Sequence, residues 1–269
     1  MRIRGSTVVV TGASSGIGRD AAARLAARGA KVWAVARNRP RLEDLAAHHP
    51  GITPFPADVS VEADRAALVE AVAAAGPIDV LVNNAGLGWS GLIQDMPADE
   101  VRKLFEVNVI GLIDLTQRVL PGMLEAGHGH VVNVGSVAGW VAAPPISVYG
   151  ATKFAVAGFS EALRREVQGR GVSVCLVSPG PLATEFLPRA QGITSGTGEP
   201  LNSAGLLTGA VAGRAIVRSI RMAGIPGWDT IAVPRVAGLA RLGAVPGVSR
   251  LVDLAAVVSR VPGLFGRPQ

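Results

Sequence analysis

The chain predicts an α/β fold: a doubly wound parallel sheet in a single Rossmann-like domain, followed by a C-terminal helical extension. Three observations predict it. Helix-length segments alternate with short, continuously apolar runs, the pattern of parallel strands buried on both faces. The first of these runs opens straight into a glycine-rich turn and an alanine-rich helical stretch. Polar motifs then fall just beyond the strand ends, where ligands bind on such sheets. With 269 residues, 49% hydrophobic and 17% charged, the chain can bury a sizeable core and is not a disordered polymer.

Ser6 to Val10 reads as the first strand, and Thr11-Gly12-Ala13-Ser14-Ser15-Gly16-Ile17-Gly18 follows it, leading into a helix over 19–28. Strand, glycine turn and helix make a phosphate-binding loop. Glycines let backbone N–H groups approach a pyrophosphate at the positive end of the helix dipole. The second strand, Ala30 to Ala36, ends at Arg37-Asn38-Arg39, with Arg41 close behind and no acidic residue over 31–42. Arginine at this place suits a ribose 2′-phosphate, so NADP(H) is expected over NAD(H). An ordinary solvated basic face is the alternative.

Ile52 to Pro56 forms the third strand, ending at Asp58-Val59, and a helix runs from Ser60 through Ala75. Ile78 to Val82 is the fourth strand, closed by Asn83-Asn84-Ala85-Gly86, and one long helix over 98–125 carries Asn108. Val131 to Val134 delivers Gly135-Ser136, a helix spans 147–169, and 172–177 leads to Ser178-Pro179-Gly180-Pro181. A final strand falls near Thr230 to Val233.

Tyr149 and Lys153 stand four apart, one turn from each other on one helix face. Tyr149 is the sole tyrosine, and Lys153 is one of three lysines, with Lys31 and Lys103. A nearby ammonium favours phenolate and burial disfavours it; the expectation is that the charge wins and the Tyr149 pKa falls. A serine hydroxyl at Ser136 then completes a site that gives a proton to a carbonyl or takes one from an alcohol.

The single cysteine, Cys175, lies in an apolar strand and reads as a buried thiol. His48/His49 and His128/His130 are placed in turns, with no metal site expected. The net charge of +6 comes wholly from residues 201–269, where eight arginines face only Asp229 and Asp253. No nucleic-acid module accompanies that charge, so no nucleic-acid partner is expected. The first residues enter a strand at once, without a secretory h-region, and no run has the length of a membrane span. A cytoplasmic location, with possible membrane association through the tail, is the expectation.

With these motifs in order, the chain resembles the short-chain dehydrogenase/reductase family over about residues 5 to 235. The resemblance rests on Thr11-Gly12-x-x-x-Gly16-x-Gly18, Asp58, Asn83-Asn84-Ala85-Gly86, Asn108, Ser136, Tyr149-x-x-x-Lys153 and Pro179-Gly180. It implies Tyr149 as the acid/base, Ser136 orienting the substrate oxygen, Lys153 lowering the Tyr149 pKa and binding the nicotinamide ribose, and Asn108 supporting a proton relay. It also implies cofactor contacts from Gly12, Ser14, Ser15, Gly16, Ile17, Gly18, Arg37, Asp58, Val59, Asn83, Ala85, Gly86, Pro179, Gly180, Leu182 and Thr184. Asp58 would meet the adenine and Asn83 the adenosine side. Leu182 replaces a residue that is often β-branched in the family.

Two stretches divide the chain: a catalytic unit over 1–235 and a basic amphipathic extension over 236–269. In the extension Val248, Leu251, Leu254 or Ala255 and Val258 recur at helical spacing beside Arg250 and Arg260. Such a tail suits a pocket or subunit interface, an anionic membrane, or an acidic carrier. Trp89, Trp140, Val141, Ile146, Phe186 and Leu187 suggest a lipophilic pocket for a ketone, aldehyde or secondary alcohol, although Trp140 serves equally as core. A homodimer or homotetramer is expected. The alternatives are a catalytically idle nucleotide-binding scaffold or sensor on the same fold, or a peripheral membrane protein acting through its tail.

Overall fold

The computed structural model describes residues 1–142, 144–180, 182–183, 207–227 and 229–233. Seven parallel strands form one sheet: β1 (Thr7–Thr11), β2 (Lys31–Ala36), β3 (Ile52–Pro56), β4 (Val80–Asn83), β5 (Gly129–Val134), β6 (Val172–Pro179) and β7 (Thr230–Val233). Their order is β3-β2-β1-β4-β5-β6-β7. The chain moves outward from β1 to β3, then returns to the other side of β1 with β4. The β1/β4 boundary is therefore the topological switch point, where such sheets open a crevice at their C-terminal ends.

Strand side chains alternate between two apolar layers. Val8, Val10, Val80, Val82, Val132, Val134, Cys175 and Val177 join a cluster with Ala21, Leu25, Leu42, Ile216 and Ile220. Val9, Leu81, Val131 and Val174 face the other way, among Leu68, Val72, Leu115, Val119, Met123 and Leu163. The first layer is covered by α1 (Gly16–Ala26), α2 (Arg39–His48) and α7 (Gly209–Arg221). The second is covered by α3 (Glu62–Ala75), α5 (Gly111–Ala126) and α6 (Ser147–Glu166). A fully buried leucine such as Leu25 or Leu115 contributes about 2 kcal/mol of burial free energy. Both strand faces are apolar for that reason.

Three local readings are corrected. The helix expected over 98–125 is interrupted: α4 (Ala98–Phe105) passes through a π turn, Glu106–Ile110, before α5 begins. The apolar periodicity crosses the insertion undisturbed, so nothing in the sequence marked it. Between β2 and β3 lies α2, in which Asn38 accepts a hydrogen bond from the Arg41 N–H at 3.0 Å. Arg39 and Arg41 thus belong to a helix start rather than to the strand end. His130 is not in a turn but inside β5, 1% exposed, where burial pushes its imidazole down to about 3. Its Nδ1 lies 2.8 Å from Ser173 Oγ, and its buried Nε2 has no hydrogen-bond partner.

Cys175 is fully buried, as expected, and burial raises its thiol to about 12. Among the described residues no helix is long and apolar enough to cross a membrane. The extension over 236–269 lies outside the described residues, as do Thr184, Phe186 and Leu187.

Candidate active site

The β1 and β4 ends are tied together across the switch point. Thr11 Oγ1 accepts hydrogen bonds from the Asn84 and Ala85 N–H groups, each at 2.9 Å. Asn84 Nδ2 donates to Thr11 O at 2.8 Å and to Gly12 O at 3.4 Å. A Cβ at Gly18 would overlap Gly12 O, so only glycine allows the first turn of α1 to fold this tightly onto the loop. No acidic residue and no side-chain cap occupies that first turn. Its N–H groups and the positive end of the dipole fit an anion such as a pyrophosphate. Ser14, Ser15, Gly16 and Ile17 are half-buried along this rim.

At the ends of β2 and β3, Arg37 Nη1 lies 3.6 Å from Asp58 Oδ2, and its side chain is 62% exposed. Asp58 Oδ1 accepts hydrogen bonds from the Ser60 N–H at 2.9 Å and from Ser60 Oγ at 2.7 Å. Burial pushes the Asp58 carboxyl up, but the Ser60 hydrogen bonds and the Arg37 charge outweigh it and hold it below its ordinary value. A carboxylate beside an exposed arginine fits the adenosine end of a dinucleotide carrying a 2′-phosphate.

Asn83 ends β4. Its side chain is buried and donates to Thr116 Oγ1 and Asn133 Oδ1, each at 3.0 Å. It holds sheet to helix. The following turn reaches the site: a Cβ on Gly86 would lie 3.2 Å from Asn108 Oδ1 and 3.7 Å from Lys153 Nζ.

The π turn delivers Asn108, 1% exposed, to a set of fixed bonds. Its Oδ1 accepts from the Leu87 N–H at 2.7 Å, and its Nδ2 donates to Leu87 O at 2.9 Å and to Thr152 Oγ1 at 3.0 Å. Thr152 Oγ1 in turn donates to Tyr149 O at 2.7 Å. A wide turn at a functional residue is a known use of π geometry. Thr152 is thus a further member of the site that the motifs do not single out. Its signal was a threonine three residues after Tyr149 on a helix face already assigned to chemistry.

β5 ends at Val134 and presents Ser136, whose Oγ accepts from the Ala138 N–H at 3.1 Å. Ser136 also hydrogen-bonds the Tyr149 side chain. Lys153, 6% exposed, donates from Nζ to Val134 O at 3.1 Å and lies 5.7 Å from the Tyr149 ring centroid. Ser136, Tyr149, Lys153 and Asn108 therefore meet at the C-terminal edge of the sheet. Pro179 and Gly180 close β6 beside them, with the Gly180 N–H donating to Val233 O at 2.7 Å. Leu182 begins a two-residue ladder, Leu182–Ala183 with Leu207–Thr208.

The expected fall in the Tyr149 pKa is overturned for the chain by itself. Burial raises its phenol to about 12, and the Ser136 hydrogen bond only moderates that rise. Burial also lowers Lys153 to about 8. By the pH at which Tyr149 ionises, Lys153 has already lost its proton and no ammonium remains to help. Desolvation of both groups decides the sign.

Of the apolar residues expected to line the pocket, Trp140 packs with Leu112, Val156 and Leu176, and Trp89 with Met96 and Leu104. Both rings are buried in these clusters. Leu92 and Ile93, 49% and 60% exposed, are the apolar side chains that the loop after Trp89 leaves open.

Residues 6–191 match the family model of the short chain dehydrogenases. The chain belongs to the short-chain dehydrogenase/reductase family. A mouse protein, dehydrogenase/reductase SDR family member 7B, is 38% identical over 195 residues, covering 68% of this chain and 60% of that protein. An uncharacterized oxidoreductase of Bacillus subtilis, YusZ, is 41% identical over 184 residues, covering 66% of this chain and 65% of that one. The match thus spans only about three fifths of the length of these relatives.

Among solved structures, a short-chain dehydrogenase from Streptomyces avermitilis superposes with a TM-score of 0.79 at 32% identity, covering 95% of this chain and 97% of that one. One from Sphingobium yanoikuyae, solved with NADPH, gives 0.75 at 28% identity, covering 97% and 98%. One from Burkholderia phymatum, solved with NAD, gives 0.78 at 26% identity, covering 100% and 99%.

Proposed function

We propose that this chain is an NADP(H)-preferring oxidoreductase that interconverts a lipophilic ketone or aldehyde and the corresponding alcohol. One observation carries the reading: Ser136 just past β5, with Tyr149 and buried Lys153 one turn apart on α6 and Lys153 Nζ 5.7 Å from the Tyr149 ring, at the C-terminal edge of the sheet. The nicotinamide cofactor supplies or accepts the hydride when bound. Gly12, Gly16 and Gly18 with the start of α1 hold its pyrophosphate, Asp58 and Val59 its adenine, Arg37 its 2′-phosphate, and Lys153 its nicotinamide ribose. Ala85, Gly86, Pro179, Gly180, Leu182 and Thr184 complete the cradle.

Tyr149, protonated at neutral pH, gives its proton to the carbonyl oxygen, and Ser136 donates a second hydrogen bond to the same oxygen. Asn108 holds the Leu87 turn and Thr152 in place, which fixes the helix that carries Tyr149. Solved relatives hold either NADPH or NAD, and the exposed Arg37 beside Asp58 is what supports the NADP(H) preference here. In this reading the catalytic unit ends near residue 235. The basic 236–269 extension serves a homo-oligomer interface or an anionic membrane, which flotation with anionic and neutral vesicles separates.

NADPH oxidation is followed against a panel of aldehydes, ketones and 3-oxoacyl thioesters, with Tyr149→Phe alongside. At least one carbonyl is expected to be reduced, and the variant to lose that activity while still binding NADPH. Near-normal turnover by Tyr149→Phe would sink the assignment and favour an idle fold.

A further inference from the structure

Arg65 is the one arginine on α3, and it is 6% exposed, although an arginine is rarely buried without a demanding partner. Its Nε donates to Asp114 Oδ2 at 2.6 Å, and its Nη1 donates to Val59 O at 2.7 Å. Asp114, on α5, also accepts from Arg118 Nε at 2.7 Å, and Arg118 Nη2 reaches Glu62 Oε1 at 3.1 Å. The charge of Arg65 is therefore matched from α5, while its second bond is spent on a backbone carbonyl. That carbonyl is gripped from the other side as well. A Cβ at Gly111, the first residue of α5, would collide with Val59 O.

Val59 is the neighbour of Asp58, whose own N–H donates to Asp64 Oδ2 at 2.7 Å. The dipeptide that ends the β3 segment is thus held by α3 twice, through Asp64 and Arg65, and is wedged against the start of α5. Arg65 donates to the carboxylate and the carbonyl from two different nitrogens of a rigid planar fork, a spacing that the single nitrogen of an ammonium does not reproduce. The backbone here makes a turn bond, Val61 N–H to Asp58 O at 3.0 Å, and these side chains add the tertiary bonds that fix where the turn sits.

We propose that Arg65 is a positioning residue for cofactor selection: bridged to Asp114, it sets the Asp58–Val59 backbone at the spacing from which Asp58 reads the adenine amino group. The inference rests on the adenine contact assigned to Asp58 above. It makes the α3–α5 ion-pair network part of cofactor recognition, although neither α3 nor α5 carries a catalytic side chain.

The test compares NADPH with its hypoxanthine analogue, in which a carbonyl replaces the 6-amino group, by quenching of the tryptophan fluorescence. The unmutated protein is expected to bind NADPH about ten- to a hundredfold tighter, the worth of one hydrogen bond to a charged group. Arg65→Lys and Asp114→Asn, checked for native circular dichroism, are expected to lower that ratio to within about twofold of unity. A loss of stability alone would weaken both ligands equally and leave the ratio unchanged. If one of the two variants fails to fold, the other still gives the reading. Folded Arg65→Lys and Asp114→Asn proteins that keep the full ratio overturn the role of Arg65. No preference in the unmutated protein overturns the Asp58 contact itself, and the two failures are told apart by the protein in which they occur.

Discussion

At pH 10.5 the sole tyrosine of this chain should remain un-ionised in the folded protein and ionise on unfolding. Tyr149 has burial against it, which raises its phenol to about 12, and a Ser136 hydrogen bond that offsets only part of the rise. Against a reference near 10, two pKa steps amount to roughly 3 kcal/mol disfavouring the buried phenolate. At pH 10.5 a phenol of pKa 12 is about 3% ionised, whereas a free tyrosine is about three quarters ionised. The difference is most of one phenolate per chain.

The assay reads phenolate absorbance at pH 10.5 in buffer and in denaturant, with Tyr149→Phe as the blank for tryptophan. The linkage has a definite sign. The folded state holds the proton more tightly, so the contribution to stability is complete below pH 10 and is lost as pH rises through 12. Lys153→Met should leave the folded signal unchanged, because Lys153, lowered to about 8, is already neutral at that pH. A folded protein showing half or more of the denatured signal would refute the reasoning, and so would a large change in Lys153→Met.

Three more predictions follow from the same geometry. Arg37→Asp removes the guanidinium 3.6 Å from Asp58 and places a negative charge at the same strand end; NADPH affinity should fall about tenfold or more, with preference moving to NADH in competition titrations. Equal affinity of the unmutated protein for both cofactors would end the 2′-phosphate assignment. Thr152→Val removes the hydroxyl between Asn108 and Tyr149 O, and about a tenfold loss in kcat at unchanged KM for NADPH is expected, with Thr152→Ser restoring it. Failure of the serine variant to rescue would leave Thr152 a packing residue. His130, lowered to about 3 by burial, binds its proton later than the unfolded chain does. Stability should therefore fall as pH drops from 6.5 toward 3, by at most roughly 5 kcal/mol. Urea unfolding at pH 7 and pH 4 should show a smaller loss in His130→Leu; an identical loss would place the acid sensitivity elsewhere.

The sequence by itself determined the sheet, its parallel sense and the position of the site. Apolar runs such as Val131 to Val134 and Val172 to Val177 can satisfy both faces of a strand only between two helical layers, and the observed β5 and β6 pair side by side. Glycine spacing and the four-residue step from Tyr149 to Lys153 are local facts, legible without any contact. What the tertiary structure alone decided were the terms that depend on neighbours far away in the chain. The π turn at Asn108 leaves the apolar period intact, so only its bonds to Leu87 and Thr152 reveal it. The buried Asn83 side chain found its partners in Thr116 and Asn133, and Trp140 became core because Leu112, Val156 and Leu176 surround it. Most consequentially, the spacing of Tyr149 and Lys153 shows that a charge is near but not whether water is. Desolvation depends on everything packed around both groups, and it reversed the expected direction of the Tyr149 pKa.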